Sequence, residues 1–357
     1  MIYILIEENY SCNNRFHRLF DGISSVAKKR HEEIAICKGI EQLPSTCRLV
    51  IVVCQSLKWS VDKVTQLNGR GVHPLVFGFP YLDTMYDYSS VAPNYTKAAY
   101  RLARYMLSRR EGRTAFLGYN EDSLPDRLKY TGVRYAAGQV GQSVETFENR
   151  GDIVECLNHF SKNCEGIQNI VCCNDNVAIL LRCQYAHLLE GRQMGSCSGI
   201  KLSEFFREPY PVCRVDHFAA GAKLASLYLL LAKEETVCST VMTFDMQFSC
   251  GDEAESLPSI GEMYSRRSVD FYGDKNFERM ERLDGMLTEC DETDLVILSD
   301  IMRGEPYSEI AEKRYIAVNT VKYRVKKMLG AAGVLSRKQL QEVLSFYKVS
   351  FDNISEK

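Results

Sequence analysis

The sequence predicts an α/β fold with parallel sheets covered on both faces, continued by a small domain made only of helices. Two observations carry the first part of that reading. From residue 1 to about 250, short apolar runs alternate with amphipathic stretches of helical length. The runs are nearly continuous rather than alternating, as expected for strands buried on both sides. A third observation carries the second part: after Cys290 apolar residues recur only three and four apart, as on helices. At 357 residues the chain has room for two or three domains.

The strand candidates, in order, are YILIE from Tyr3, EIAIC from Glu33, RLVIVVC from Arg48, HPLVFGF from His73, TAFLGY from Thr114, QNIVCC from Gln168 and TVMTF from Thr240. Helical spacing fills 13–29, 95–108, 128–138 and 177–189 between them. FAAGAKLASLYLLLA is the most apolar helical segment, but it is short of a membrane span and carries Lys223. Residues 251–268 are polar and irregular and read as a connection. In DKNFERMERLDGML, Phe277, Met280, Leu283 and Met286 fall three apart, giving a short amphipathic helix with Asp274 as its N-cap.

Four short helices are expected after Cys290. The first starts at the N-cap Asp291, with Asp294 three residues on, buries Leu295, Ile297, Leu298, Ile301 and Met302, and ends at Gly304. The second begins near Pro306 and buries Ile310 and Ala311. The third turns Val318, Val321, Val325, Met328 and Ala332 to one face and Asn319, Lys322, Tyr323, Arg324 and Lys326 to the others. The fourth opens with a capping box from Ser336 to Gln339 and runs through Leu340, Val343 and Leu344.

Hydrophobic residues make up 45% and charged residues 25%, ordinary for a soluble globular protein. The net charge of −2 means that affinity for nucleic acid must come from a local patch. Such a patch exists, since every charged residue from Lys313 to Lys338 is basic. A helix, a short turn and a second helix with a polar, basic outer face is what reading a major groove requires. Lysine and arginine meet phosphates, while Asn, Thr and Arg near the helix start reach base edges. Asn319, Thr320, Lys322, Tyr323, Arg324, Lys326 and Lys327 are the candidate contacts to double-stranded DNA. The 14 cysteines include Cys172 and Cys173 and form no C-x-x-C pair, which fits buried reduced thiols of a cytoplasmic protein. MIYILIEENY lacks the basic start of a signal peptide.

LSDIMRGEPYSEIAEKRYIAVNTVKYRVKKML, followed by GV and SR, resembles the LuxR-type helix-turn-helix of bacterial transcription regulators. Gly304, Ile310-Ala311, Thr320-Val321-Lys322, Gly333-Val334 and Arg337 carry the likeness, over about 287–348. Ala317 departs from it where the family has a serine N-cap, a loss of about 1 kcal/mol. Ala331 departs where a lysine is frequent.

VAPNYTKAAYRLARYMLSRREGRTAFLGY, DRLKYTGVRYA and IVCCNDNVAILL resemble the LacI/GalR sensor domain, which has the fold of periplasmic sugar-binding proteins. The resemblance implies two Rossmann-like lobes over 1–250, joined by three crossings near Arg110, Asp216 and Glu235. Lobe one would take about 1–111 and 216–235, lobe two about 112–215 and 236–250, with a linker over 251–286. By position in that family, Asn94, Lys129, Phe147, Asn174 and Lys201 are the candidate ligand contacts. Asn94 and Lys201 fall where the family has carboxylates. That makes a small polar ligand expected, a sugar or a more anionic derivative such as a sugar phosphate.

Other chemistry finds little support. Cys156-x-x-His159-x₄-Cys164 has part of a zinc spacing but no fourth ligand at a suitable distance. There is no P-loop, G-x-G-x-x-G, G-x-S-x-G or H-E-x-x-H, and no cofactor is expected. Trp59 and Tyr10 follow strand-like runs, where they would line a cleft or join the core. Two function classes remain. One is a ligand-responsive transcription regulator acting as a homodimer, with the apolar stripe of the linker helix as a pairing surface. The other is an α/β enzyme with a helical tail for protein contacts. The cationic face from Lys322 to Lys327 favours the first.

Overall fold

The computed structural model describes residues 1–8, 14–54, 56–82, 84–206, 210–234, 238–250 and 275–351, without the side chains of 275–277. Tyr10, the crossing expected near Glu235, the connection over 251–268, the Asp274 cap and the Phe277 side chain lie outside these residues.

The chain begins β1 (Ile2–Ile6), α1 (Asn14–Arg30), β2 (Ile34–Cys37), β3 (Leu49–Val53), α2 (Leu57–Asn68), β4 (His73–Phe77) and β5 (Ser89–Pro93). It continues through α3 (Tyr95–Arg109), β6 (Arg113–Tyr119), α4 (Leu124–Gly138), β7 (Val144–Glu148), α5 (Ile153–Asn163), β8 (Ile167–Cys172), α6 (Asp175–Gln184), β9 (Gln193–Cys197) and β10 (Val212–Arg214). Then come α7 (His217–Leu231), β11 (Val241–Phe244) and β12 (Gln247–Phe248), followed by helices only. These are α8 (Lys275–Glu289), α9 (Glu292–Met302), α10 (Tyr307–Lys313), α11 (Val318–Ala332) and α12 (Arg337–Phe346).

Two six-stranded sheets result, ordered β11-β5-β4-β3-β1-β2 and β12-β10-β9-β8-β6-β7. All pairs are parallel except β10 with β12. This is the expected α/β architecture of two Rossmann-like lobes. All five residues of β3 are buried, as a central strand between two helical layers requires. Helices meet through glycines. A Cβ on Gly221 of α7 would sit 1.9 Å from the Leu19 carbonyl oxygen of α1, and one on Gly22 would sit 2.0 Å from that of Phe218. In the second lobe, a Cβ on Gly132 of α4 would lie 2.2 Å from the Thr96 carbonyl oxygen of α3.

Of the three points at which the chain changes lobes, the one near Asp216 is where expected and the other two are not. Helix α3 packs on α4, β9 and β10, so the first crossing is at Asn94 and not near Arg110. The second, at Val215–Asp216, leads from β10 to α7, which packs on α1. Strand β11 pairs with β5 of the first lobe and β12 with β10 of the second, so the third crossing is at Asp245–Met246. The reason is hydrogen bonding: β11 completes an edge that β5 would otherwise leave open. The crossings lie together, since Asn94 N–H donates to the Phe244 carbonyl at 2.8 Å and Gln247 donates to Asp216 at 3.3 Å.

The helical part docks on the second lobe. Val349 makes an antiparallel bridge with Phe206, Ser350 N–H donates to the Phe205 carbonyl at 2.9 Å, and the rings of Phe205 and Phe351 stand 5.5 Å apart. Met280, Leu283, Met286 and Leu287 of α8 are buried in one apolar cluster with α11 and the second lobe. The stripe expected to pair two copies therefore has its partner within the chain.

Asp284 of α8 accepts the Leu202 N–H at 3.0 Å. Burial, with Glu281 beside it, raises its carboxyl from 3.8 to about 6, against the pull of Leu202 N–H and Arg15. The folded state therefore holds this proton more tightly than the unfolded chain. The stability it contributes is complete below the unfolded value and declines as pH rises to about 6. Asp284→Asn is expected to flatten that decline and to raise stability at pH 7 by up to about 3 kcal/mol. Urea midpoints at several pH values check this; a variant curve parallel to the wild type would contradict it.

Candidate functional site

In open parallel sheets, the crevice beyond the carboxyl ends of the strands is where ligands bind, at the point where strand order reverses. That point is between β1 and β3 in the first lobe and between β6 and β8 in the second. On the first side, Glu7 follows β1 and accepts the N–H of Ser56, the N-cap of α2, at 3.1 Å. On the second side are Asn120, Cys173 and Asn174, with Asn149 beyond β7. Leu124 and Leu128, from the first turns of α4, join the apolar cluster of the first lobe with Phe79 and Leu82, so the lobes touch there.

The structure brings Asn94, Lys129 and Asn174 to the same end of the second lobe, each with an internal task. Asn94 caps α3 by accepting the Lys97 N–H at 3.0 Å, and Asn174 caps α6 by accepting the Val177 N–H at 3.1 Å. Lys129 is only 5% exposed; its Nζ donates to Asp126 Oδ1 at 3.0 Å and to the Cys173 carbonyl at 2.9 Å, under the ring of Tyr95 at 5.5 Å. Burial is the largest influence and alone would lower its pKa, but Asp126 together with Cys173, Tyr95 and Cys197 more than offsets it and keeps the ammonium charged. Lys201 pairs with Glu204 at 2.7 Å. Both lysines thus have a carboxylate partner, but Glu204 also holds Arg214 at 2.9 Å, so the positive charge around Lys201 is not fully balanced.

Phe147 is not in the crevice. It is 1% exposed, edge-on to Phe160 at 4.9 Å, within the core of the second lobe. A side chain at the fourth position of β7 points to the layer covered by α5, which position along the chain alone does not reveal. The sequence reading also passes over Asn120, Asp122, Asp126 and Asn149, buried polar residues at the same edge. Their signal is the N-cap Ser123 with Asp126 at N3, a helix start directly after a strand. Trp59 is half-buried and packs against the first-lobe cluster. Cys156 and Cys164 are buried while His159 is exposed, and no group of three or more His, Cys, Asp or Glu able to hold a metal occurs among the described residues.

At the other end, α9 to α12 form the helix-turn-helix geometry. Asp291 and Asp294 build a reciprocal capping box for α9, Ser336 caps α12, and Ala317 leaves α11 without a side-chain cap. Gly304 and Gly333 have φ of 86° and 67°, the left-handed turn a side chain would strain. Asp300, fully buried, gathers Arg314 at 2.8 Å and Lys313 at 2.9 Å, which fixes the turn between α10 and α11. Val321, Val325, Met328 and Ala332 face inward. Asn319, Thr320, Lys322, Tyr323, Lys326 and Lys327 are exposed. Lys322 and Lys326 make no ion pair among the described residues, whereas Lys327 lies 3.7 Å from Glu289. Tyr315, in the turn at φ 54°, is 96% exposed, a feature helical spacing does not forecast.

Arg324 is a correction. It is half-buried and donates to Asp291 at 2.8 Å and Asp294 at 2.8 Å, pinning α11 to the start of α9. It faces the scaffold and not the outer surface.

No family model matches the chain, and no curated protein does. Solved structures do. A transcriptional regulator CelR bound to cellobiose shares 14% identity at a TM-score of 0.56, over 69% of this chain and 82% of that one. The Cra transcriptional dual regulator of Pseudomonas putida, with fructose 1-phosphate, shares 17% at 0.56, over 70% of this chain and 97% of its own. A LacI family regulator of Enterococcus faecium with bound ribose shares 15% at 0.54, over 69% and 96%. At these identities the likeness establishes a fold: the two α/β lobes are built as in LacI-family transcriptional regulators.

Proposed function

We propose that this protein is a DNA-binding transcription regulator of the cytoplasm, controlled by a small polar ligand held between its lobes. The observation that carries the reading is α11, whose Val321, Val325, Met328 and Ala332 are buried, with Val318 of the expected face exposed, while Asn319, Thr320, Lys322, Tyr323 and Lys326 stand together on the outside. The reader is of LuxR type and placed after the sensor. Neighbouring structures with cellobiose, fructose 1-phosphate and ribose support a sugar or sugar derivative as the ligand. Lys129 is balanced by Asp126, whereas Lys201 shares Glu204 with Arg214, so an anionic derivative such as a sugar phosphate stays within the ligand class. Two copies are needed for tight specific binding, since one reader covers little DNA. With the α8 stripe buried, they must pair through another surface.

Lys322→Ala and Lys326→Ala are each expected to weaken binding to any duplex and to reduce the log K versus log salt slope by about one unit. Asn319→Ala and Thr320→Ala are expected to relax base preference at one position by about 1–3 kcal/mol. Mobility shifts of the full chain over a salt series check both, and unaltered binding in all four variants would sink the assignment. A thermal-shift screen of neutral sugars and sugar phosphates tests the crevice, since ligand bound to the folded state raises its midpoint.

A further inference from the structure

Helix α8 touches three parts of the molecule. Toward the first lobe, Glu281 pairs with Arg15 at 3.4 Å, and a Cβ on Gly285 would lie 4.0 Å from the Asn14 side chain. Toward the second lobe, Asp284 accepts the Leu202 N–H at 3.0 Å. Toward the helical head, Met280, Leu283, Met286 and Leu287 share a buried cluster with Val321, Val325 and Met328 of α11.

The two lobe contacts are placed at the crevice. Asn14 and Arg15 open α1, which follows the carboxyl end of β1. Leu202 lies in the short turn Lys201–Phe205, which follows the carboxyl end of β9. Both are therefore on the sheet edges that border the space between the lobes. A single helix fixed to both edges cannot keep both contacts when one lobe rocks against the other.

The contacts are unequal. On the second-lobe side α8 belongs to a common apolar core, supplemented by the Phe206–Val349 bridge and the Phe205–Phe351 contact. On the first-lobe side the fastening is polar, with the side chains of Arg15 and Glu281 18% and 19% exposed. At 3.4 Å the pair is longer than a tight charge-assisted hydrogen bond, and parting it opens no apolar cavity, unlike the common core on the other side. When the lobes part, the Arg15–Glu281 side is the one that gives way, and the head stays with the second lobe.

We propose that α8 is a strap across the crevice, and that its Arg15–Glu281 fastening reports the arrangement of the lobes to the helix α11. The proposal rests on the reading of the crevice as the ligand site and of α11 as the DNA reader. What it adds is the route: the two sites are coupled through one helix within a single chain. Local opening of such an element is visible as faster amide exchange.

The test is amide hydrogen exchange by mass spectrometry on the full chain without DNA or ligand. Arg15→Glu is expected to speed exchange across α8 several-fold while the β6 and β8 amides stay unchanged. The swapped pair Arg15→Glu with Glu281→Arg is expected to restore the wild-type rate. Leu124→Gln and, separately, Leu128→Gln loosen the lobe contact with Phe79 and Leu82 and are expected to speed α8 in the same way. Unchanged α8 exchange in Arg15→Glu overturns the proposal. So does a change there that neither leucine variant reproduces, because α8 would then be fastened without reporting. Binding of the wild-type chain to a mixed-sequence duplex, measured in parallel, separates this outcome from failure of the reader assignment.

Discussion

Lys129→Ala is expected to destabilise the second lobe by about 3–5 kcal/mol, whether or not a ligand ever meets that lysine. The side chain is 5% exposed and its ammonium is the charge partner of Asp126, itself 6% exposed. Removing it leaves a carboxylate in a site that burial already penalises. The loss is therefore that of an uncompensated buried charge and not the net worth of the pair. The paired substitution Lys129→Met with Asp126→Leu is expected to return most of the lost stability, because it removes both charges and keeps the volume. Urea unfolding of the two variants checks this; a loss below about 1 kcal/mol in Lys129→Ala would show that the pair is solvated.

The second large effect is expected at the contact of α1 with α7. Gly221→Val places methyl groups where a Cβ alone would lie 1.9 Å from a backbone oxygen, so the two helices must separate along their length. Overpacking of this kind costs about 3 kcal/mol or more when backbone and not side chain must yield. Gly138→Ala, at the end of α4 with nothing within 4 Å of the added carbon, is expected to be neutral or slightly stabilising. Thermal unfolding of both variants decides whether close approach, and not loss of glycine as such, is responsible.

The helices and the aliphatic strands were legible because burial on two faces leaves a chemical trace. LVIVV of β3 and the spacing of α11 show it plainly. SSVAP of β5, QMGSC of β9 and VCR of β10 leave none. They are strands because neighbours on either side complete their hydrogen bonds, a property of the sheet and not of the segment. The first crossing was misplaced for that reason: without β5, Asn94 looks like the start of a loop that stays in its own lobe.

Site residues were harder. Asn94 and Asn174 have the composition of ligand contacts, but an asparagine before a helix is also the usual N-cap, and both serve as one. Arg324 looks like a phosphate contact among lysines, yet its acceptors Asp291 and Asp294 stand 33 and 30 residues away. The partner of α8 was hidden likewise, since a buried stripe and a dimer stripe have the same sequence. Local pattern shows which face is apolar, but only tertiary packing shows what covers it.

The three crossings have a consequence for how the chain is made. By Pro93 five strands of the first lobe exist, but α7, which covers one face of that sheet, and β11, which closes its edge, come only after β10. At about 5–20 residues per second, synthesis of the intervening second lobe takes on the order of ten seconds. During that interval Ile4, Ile51 and Leu75 lack the side chains of Leu224 and Tyr228 that later cover them. The second lobe likewise receives β12 last, so both lobes finish within a few residues of each other at Phe248. The nascent chain thus has a long period of unshielded sheet, in which chaperone capture competes with aggregation. A circular permutant that places α7 and β11 ahead of β1 would abolish that period for the first lobe.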